Sequence, residues 1–235
     1  GFGDRHRLYV ATPTVLLADH LQLGSIGLGT TLGASLQSLR PRRWRPANEG
    51  RFELPEVYGE VGLTGYGPVM GLSEFATTLV VDHCAPEAVE PALTAVARTG
   101  AGKLFRKRAA HRSAVAVRDG REPVIDDLPL PRRPIRMWDR VGNDLVLLGL
   151  MTMLPPEVIH RFATNIDADL LATARQIRPD VFLRLNPLYV EQIPAARRDR
   201  YVRRLSQAGV EAYGPDDWSD YAKLRSLLSR HYRLG

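Results

Sequence analysis

Two short apolar runs in the second half of the chain, 181–185 (VFLRL) and 210–213 (VEAY), limit the fold more than any other feature. Each is entered by a phrase that ends a helix, Arg178-Pro179-Asp180 in one case and Ala208-Gly209 in the other. Proline cannot extend a helix, and glycine takes the left-handed conformation that closes one, so both phrases read as exits. A helix, an apolar run of four or five residues and another helix together form the unit from which parallel sheets are built. The two runs are therefore expected to be strands of one sheet, covered by helices over 156–162, 169–177, 195–207 and 217–232. The stretch 144–149 is too apolar to face water and reads as a further strand or a buried helix.

The first half is punctuated differently. Residues 7–10 and 15–18 read as short strands, followed by the glycine-dense run Gly24, Gly27, Gly29 and Gly33; residues 40–50 and 59–71 read as long connections. Thr77, Thr78, Val80 and Val81 are β-branched or strand-forming neighbours and predict a strand over 77–81, after which Pro86 and Glu87 open a helix running to about Arg98. Residues 113–117 and 124–125 flank Arg118-Asp119-Gly120-Arg121, whose Asp-Gly pair signals a hairpin turn. The expected fold class is α/β, with a mainly parallel sheet flanked by helices in the C-terminal half. It is joined to a glycine-rich, partly antiparallel N-terminal half with a β-hairpin near 113–125.

At 235 residues such a chain buries a sizeable core without disulfides, and it has a single cysteine, Cys84. Hydrophobic residues at 44% and charged residues at 25% exclude a mainly disordered or collagen-like chain. We read one domain over 1–235, with a boundary at the proline-rich 128–134 as the alternative. No run reaches the ~18 apolar residues of a membrane span, and no membrane partner is expected. The amino end lacks a signal layout and reads as a trimmed or internal start, so the expected location is cytoplasmic.

Two glycine patterns fall short of nucleotide sites. Gly100-Ala101-Gly102-Lys103 has the end of a phosphate loop, but Leu104 stands where a magnesium-holding hydroxyl belongs and a helix, not a strand, precedes it. Gly27, Gly29 and Gly33 have dinucleotide-like spacing, yet the arginine-rich 40–46 occupies the place of a second strand. Single histidines without partner spacing exclude a zinc framework, and no cofactor or metal is identified.

Asp82, His83 and Cys84 are the catalytic candidates, because the expected strand would end and a helix begin there, the place where open α/β sheets hold ligands. Lys103, Arg106, Lys107, Arg108 and Arg112 would supply anion contacts. The leading reading is an enzyme, hydrolase or transferase, acting on an anionic, phosphate- or carboxylate-bearing small molecule. The alternative is a non-catalytic module that binds nucleic acid or protein through Arg42, Arg43, Trp44, Arg45, Arg133, Arg136 and Trp138, where arginines interleave with tryptophan. A net charge of +6 suits either, although all but Lys103, Lys107 and Lys223 of the 32 basic residues are arginine, a skew that codon usage also produces.

Overall fold

Short backbone pairings join distant parts of the chain in the computed structural model, which describes residues 64–97 and 101–233 together with 16, 17, 20–23, 25–27, 32, 40 and 41. Ser25–Gly27 (β1) and Thr64–Tyr66 (β3) pair in parallel, while Arg40–Pro41 (β2) pairs antiparallel with a segment at the far end of the chain. Of the strands expected early in the sequence, 7–10 lies outside the described residues, and Leu16 and Leu17 are helical.

Glu74–Cys84 forms helix α1, not the strand expected over 77–81. Ser73 caps it, its hydroxyl accepting from the Ala76 N–H at 3.1 Å and donating to the carbonyl of Phe182. Phe75, Ala76 and Leu79 then fall on one buried face. The β-branched threonines are accommodated because their hydroxyls donate back to the preceding turn, Thr77 to the Ser73 carbonyl at 2.7 Å and Thr78 to that of Phe75 at 2.8 Å. Pro86–Ala97 (α2) comes next, opening on its proline as expected.

Ala101–Arg118 (α3) runs through half of the predicted hairpin. Its end shows why the sequence points to a hairpin there. The Arg121 N–H donates to the Ala116 carbonyl at 2.8 Å and the Gly120 N–H to that of Val117 at 3.1 Å, with Gly120 at φ +67. That is a Schellman closure, which needs the same left-handed glycine as a hairpin turn. Asp119-Gly120 thus ends a helix, and the return strand does not form.

Ile135–Arg136 (β4) leads into Val141–Met153 (α4), a deeply buried helix. Leu145, Val146, Leu147, Leu148, Leu150 and Met151 are all buried, so α4 has no solvent side, and it packs against α3 as well as Pro156–Phe162 (α5) and Ala168–Ala174 (α6). Between the last two, Ala163–Thr164 (β5) pairs in parallel with β4. Asp167 caps α6 by accepting from the Leu170 N–H at 2.7 Å.

The remainder of the chain overturns the expected parallel sheet. Asp180–Leu183 (α7) is a helical turn, begun by the Phe182 N–H donating to the Pro179 carbonyl at 2.9 Å, and it buries Val181, Phe182 and Leu183. After two 3-10 turns, Pro187–Gln192 and Ala195–Arg197, come Arg198–Gln207 (α8) and Pro215–Ser229 (α9). The segment 210–213 forms no strand and meets the exit of α7 only in a parallel bridge between Leu185 and Ala212. Tyr232–Arg233 (β6) closes the chain on β2. Among the described residues the fold is thus mainly helical, with three two-stranded pairs, two parallel and one antiparallel. An apolar run of four or five residues suits a helical turn as well as a strand, and here the central apolar helix has taken the place assigned to a sheet.

One buried hydrophobic cluster includes residues from Leu32 to Tyr232, and Ile125, Leu128, Ile135 and Met137 on either side of the proline-rich segment all belong to it. No helix among the described residues is long and apolar enough to cross a membrane. α4 approaches α1 closely at Gly149, where an added Cβ would lie 2.5 Å from Cε2 of Phe75 and 3.2 Å from Cδ1 of Phe182. Both rings are buried and tilted against each other at a centroid distance of 5.9 Å, so neither can swing aside. Overpacking should outweigh the helix propensity that alanine gains, and Gly149→Ala is expected to lower stability by about 1 kcal/mol and Tm by about 2–4 °C. Gly142→Ala on the same helix meets nothing within 4 Å and should leave Tm level or raised. Thermal melts of the two variants showing equal gains would mean that Phe75 has room to move.

Candidate functional site

The three residues at the end of α1 do not converge. Asp82 turns towards α3, accepting from Nε2 of His111 at 3.1 Å and from Arg118 at 2.9 Å, whereas His83 and Cys84 are exposed beyond it. Burial works against ionisation of Asp82, but Arg118 and His111 outweigh it and hold its carboxyl below the usual carboxylate range. With α1 helical, the strand end on which their catalytic reading rests is absent, and the neighbour that Asp82 meets is an imidazole on another helix.

The cations of α3 divide into two groups. Arg108 pairs with Glu90, Arg112 with Asp127, and Lys107 reaches Glu74 at 3.7 Å. Arg106 is partly buried and faces inward; burial pulls its pKa below the ordinary arginine value, against the attraction of Glu74. Its Nε has no acceptor and Oε2 of Glu74 no donor, so the two attract through space without a hydrogen bond. Only Lys103, in the first turn of α3, is exposed, with no carboxylate in ion-pair range among the described residues. That turn carries no acidic residue. It lies against the proline-rich segment, because a Cβ at Gly102 would be 4.0 Å from Cβ of Pro131.

Beyond Pro131 the chain presents Arg132, Arg133 and Arg136, all exposed and again without a carboxylate partner among the described residues. Strand alternation accounts for this: Ile135 and Met137 point into the core and Arg136 points out, while the Met137 N–H extends the pairing with β5 by donating to the Thr164 carbonyl at 3.0 Å. Next comes Trp138, at φ +66, a left-handed conformation that a bulky residue avoids unless its surroundings impose it.

Asp144 imposes it, a fully buried acid in the first turn of α4. One carboxylate oxygen accepts from the Trp138 N–H at 3.0 Å and the other from the hydroxyl of Tyr232. The Trp138 indole then stacks on His231, centroids 3.6 Å apart and planes 11° from parallel, with the Tyr232 ring tilted beside it at 6.3 Å. β6 pairs Arg233 with Arg40 and Tyr232 with Pro41, so the backbone leading to the first arginine-rich segment reaches the same place. Arg42, Arg43, Trp44 and Arg45 themselves lie outside the described residues.

Trp138 and the strand Arg40–Pro41 thus both meet the end of the chain at residues 231–233. Sequence reasoning missed the organisers of this meeting, Asp144, His231 and Tyr232. The available signal was an acid within the otherwise apolar 144–151 (DLVLLGLM) and an aromatic dipeptide just after the last helix. Neighbouring carboxylates on the surface are engaged by arginines, Asp126 with Arg161 and Asp127 with Arg112. Among the described residues no group of three His, Cys, Asp or Glu is placed to hold a metal ion.

Compared with known proteins, the chain matches no family model, no curated protein and no solved structure.

Burial raises the Asp144 carboxyl from 3.8 to about 7, against the opposing hydrogen bonds from Tyr232 and Trp138. Between those two values the folded protein keeps a proton that the unfolded chain has released, so this group stabilises fully at low pH and progressively less as pH rises through the window. Asp144→Asn removes that dependence. Plotted against pH, the Tm of wild type minus that of the variant should fall from about pH 4 to about pH 7 and then level off. Parallel curves would show that Asp144 titrates at its ordinary value.

Proposed function

We propose that the protein binds nucleic acid through its phosphate backbone, using Lys103, Arg132, Arg133 and Arg136 beside the Trp138–His231 stack. One observation carries this reading: these cations are exposed and unmatched by carboxylates among the described residues, whereas Lys107, Arg108 and Arg112 are already paired. Paired surface cations release little on binding. Unpaired ones exchange condensed counterions for protein contacts, and an arginine fork matches a phosphate in two places. The start of α3 adds the positive end of its dipole at Lys103. The overall charge of +6 favours approach to any polyanion.

An enzyme acting on an anionic small molecule is the second reading, and the observation in its favour is the Asp82–His111 contact, a carboxylate that fixes an imidazole tautomer. In that reading His111→Ala should abolish turnover of a phosphate ester found by screening while leaving Tm nearly unchanged. A lowered Tm with no such turnover assigns the contact to helix pairing alone.

Anisotropy titrations of labelled oligonucleotides test the first reading. Affinity should fall with the logarithm of salt concentration, and Arg133→Ala and Arg136→Ala should each weaken binding and lessen the slope by about 0.7–0.9. Binding that ignores both substitutions, or salt, would end the proposal.

A further inference from the structure

We infer that α8 enters the major groove of duplex DNA and forms a second nucleic-acid surface. This rests on the nucleic-acid reading and adds to it a separate surface and the form of the ligand. Helix periodicity sets the outward face. At about 100° per residue, Arg200 and Gln207 lie side by side in its middle, with Arg203 on one flank and Arg204 on the other, and all four are exposed. Arg200 and Arg203 have no hydrogen bond or ion pair among the described residues, and Arg204 meets only the Gln207 amide, at 3.4 Å. Asp199, the one acid on the helix, is out of ion-pair range of all three. The inner side is pinned instead: the Tyr201 hydroxyl donates to the Pro68 carbonyl at 2.6 Å, Arg198 donates to the carbonyls of Ile193 and Glu191 at 2.8 Å, and Leu205 is buried.

The composition of the outward face selects the partner. It exposes no apolar side chain, whereas a protein interface has an apolar core and a helix lying in a bilayer buries an apolar side. It exposes no aromatic ring on which the bases of a single strand could stack. A regular array of phosphates remains. A helix with its side chains is about 10–12 Å across and the major groove of B-DNA about 12 Å wide, so Arg203 and Arg204 reach the phosphates of opposite walls. Arg200 and Gln207 then face the base edges, where arginine pairs with guanine and glutamine with adenine. The surface is distinct from the first one. An added Cβ at Gly209, just past α8, would lie 3.8 Å from Cδ of Arg118, at the end of α3, and Lys103 is about 22 Å away along that helix.

The test uses the full chain with a labelled mixed-sequence DNA duplex, an RNA duplex of the same length, whose major groove is too narrow for a helix, and phosphatidylserine vesicles. Arg203→Ala/Arg204→Ala should weaken DNA binding about tenfold and lessen the salt slope by about 1.8, with Tm and RNA binding unchanged. Arg203→Lys/Arg204→Lys, which keeps the charge, should recover most of the loss. Equal losses on the two duplexes, or none on DNA, would refute groove entry. Vesicle binding that is lost in the alanine variant while DNA binding persists would give the face to lipid and refute it too. The two surfaces fail separately: DNA binding that responds to Arg136→Ala but not to the double variant removes α8 alone, and the converse removes the first surface and leaves α8 in place. A chain that binds no DNA removes both.

Discussion

A helix with no side turned to water makes a demand that every neighbour must meet. α4 buries almost every residue from Val141 to Met151, and the only ionisable group among them is Asp144. Apolar neighbours can cover the rest by simple contact, with Phe75 and Phe182 lying over Gly149 and α3, α5 and α6 around it. Asp144 cannot be covered in that way. A buried carboxyl needs hydrogen-bond donors, and the two it recruits are a backbone N–H from the segment entering α4 and a phenol from the far end of the chain. The aromatic stack and the arginine-bearing strand are placed by that requirement, so the candidate site depends on how the core is satisfied.

A second polar knot holds the other end of the fold. Asp217 and Asp220 are buried at the start of α9, where Asp217 accepts from the Gly214 N–H at 2.7 Å and from Arg184 at 2.8 Å, and Asp220 accepts from Arg178 at 2.7 Å. Negative charge at a helix N-terminus is favourable, and the arginines come from residues just before and after α7. These contacts explain why residues 178–184 turn helically over α9 instead of running on as a strand. The arginine count of the chain therefore overstates its free charge, since Arg108, Arg112, Arg118, Arg161, Arg178 and Arg184 are all committed to its own carboxylates.

Punctuation is legible in the sequence, and direction is not. Pro156 opens α5 and Phe162 ends it as expected, Pro86 opens α2, and Gly209 forms the expected helix exit, with φ +76 and the Val210 N–H donating to the Leu205 carbonyl at 2.9 Å. The choice between helix and strand fails for short runs. Residues 77–81, 113–117 and 181–183 look extended when read alone. Each becomes helical because of something outside the window: the Ser73 cap, the length of α3, or the Pro179 carbonyl. The arginine-and-tryptophan segments are visible as composition, but the pairing of Arg40–Pro41 with Tyr232–Arg233 joins residues far apart in sequence, and no local pattern encodes it.

That pairing also bears on the order of assembly. α1 to α3 and the turns around α4 are local, and each can form as soon as its own residues collapse together. The Arg40–Arg233 and Pro41–Tyr232 pairs must instead close almost the whole chain into a loop, at an entropic cost that is recovered only once α4 is in place to receive the Tyr232 hydroxyl. β6 should then be among the last elements to dock and the first to detach. The surface with the unpaired arginines is then completed at the end of folding, when residues 40–41 and 232–233 come together.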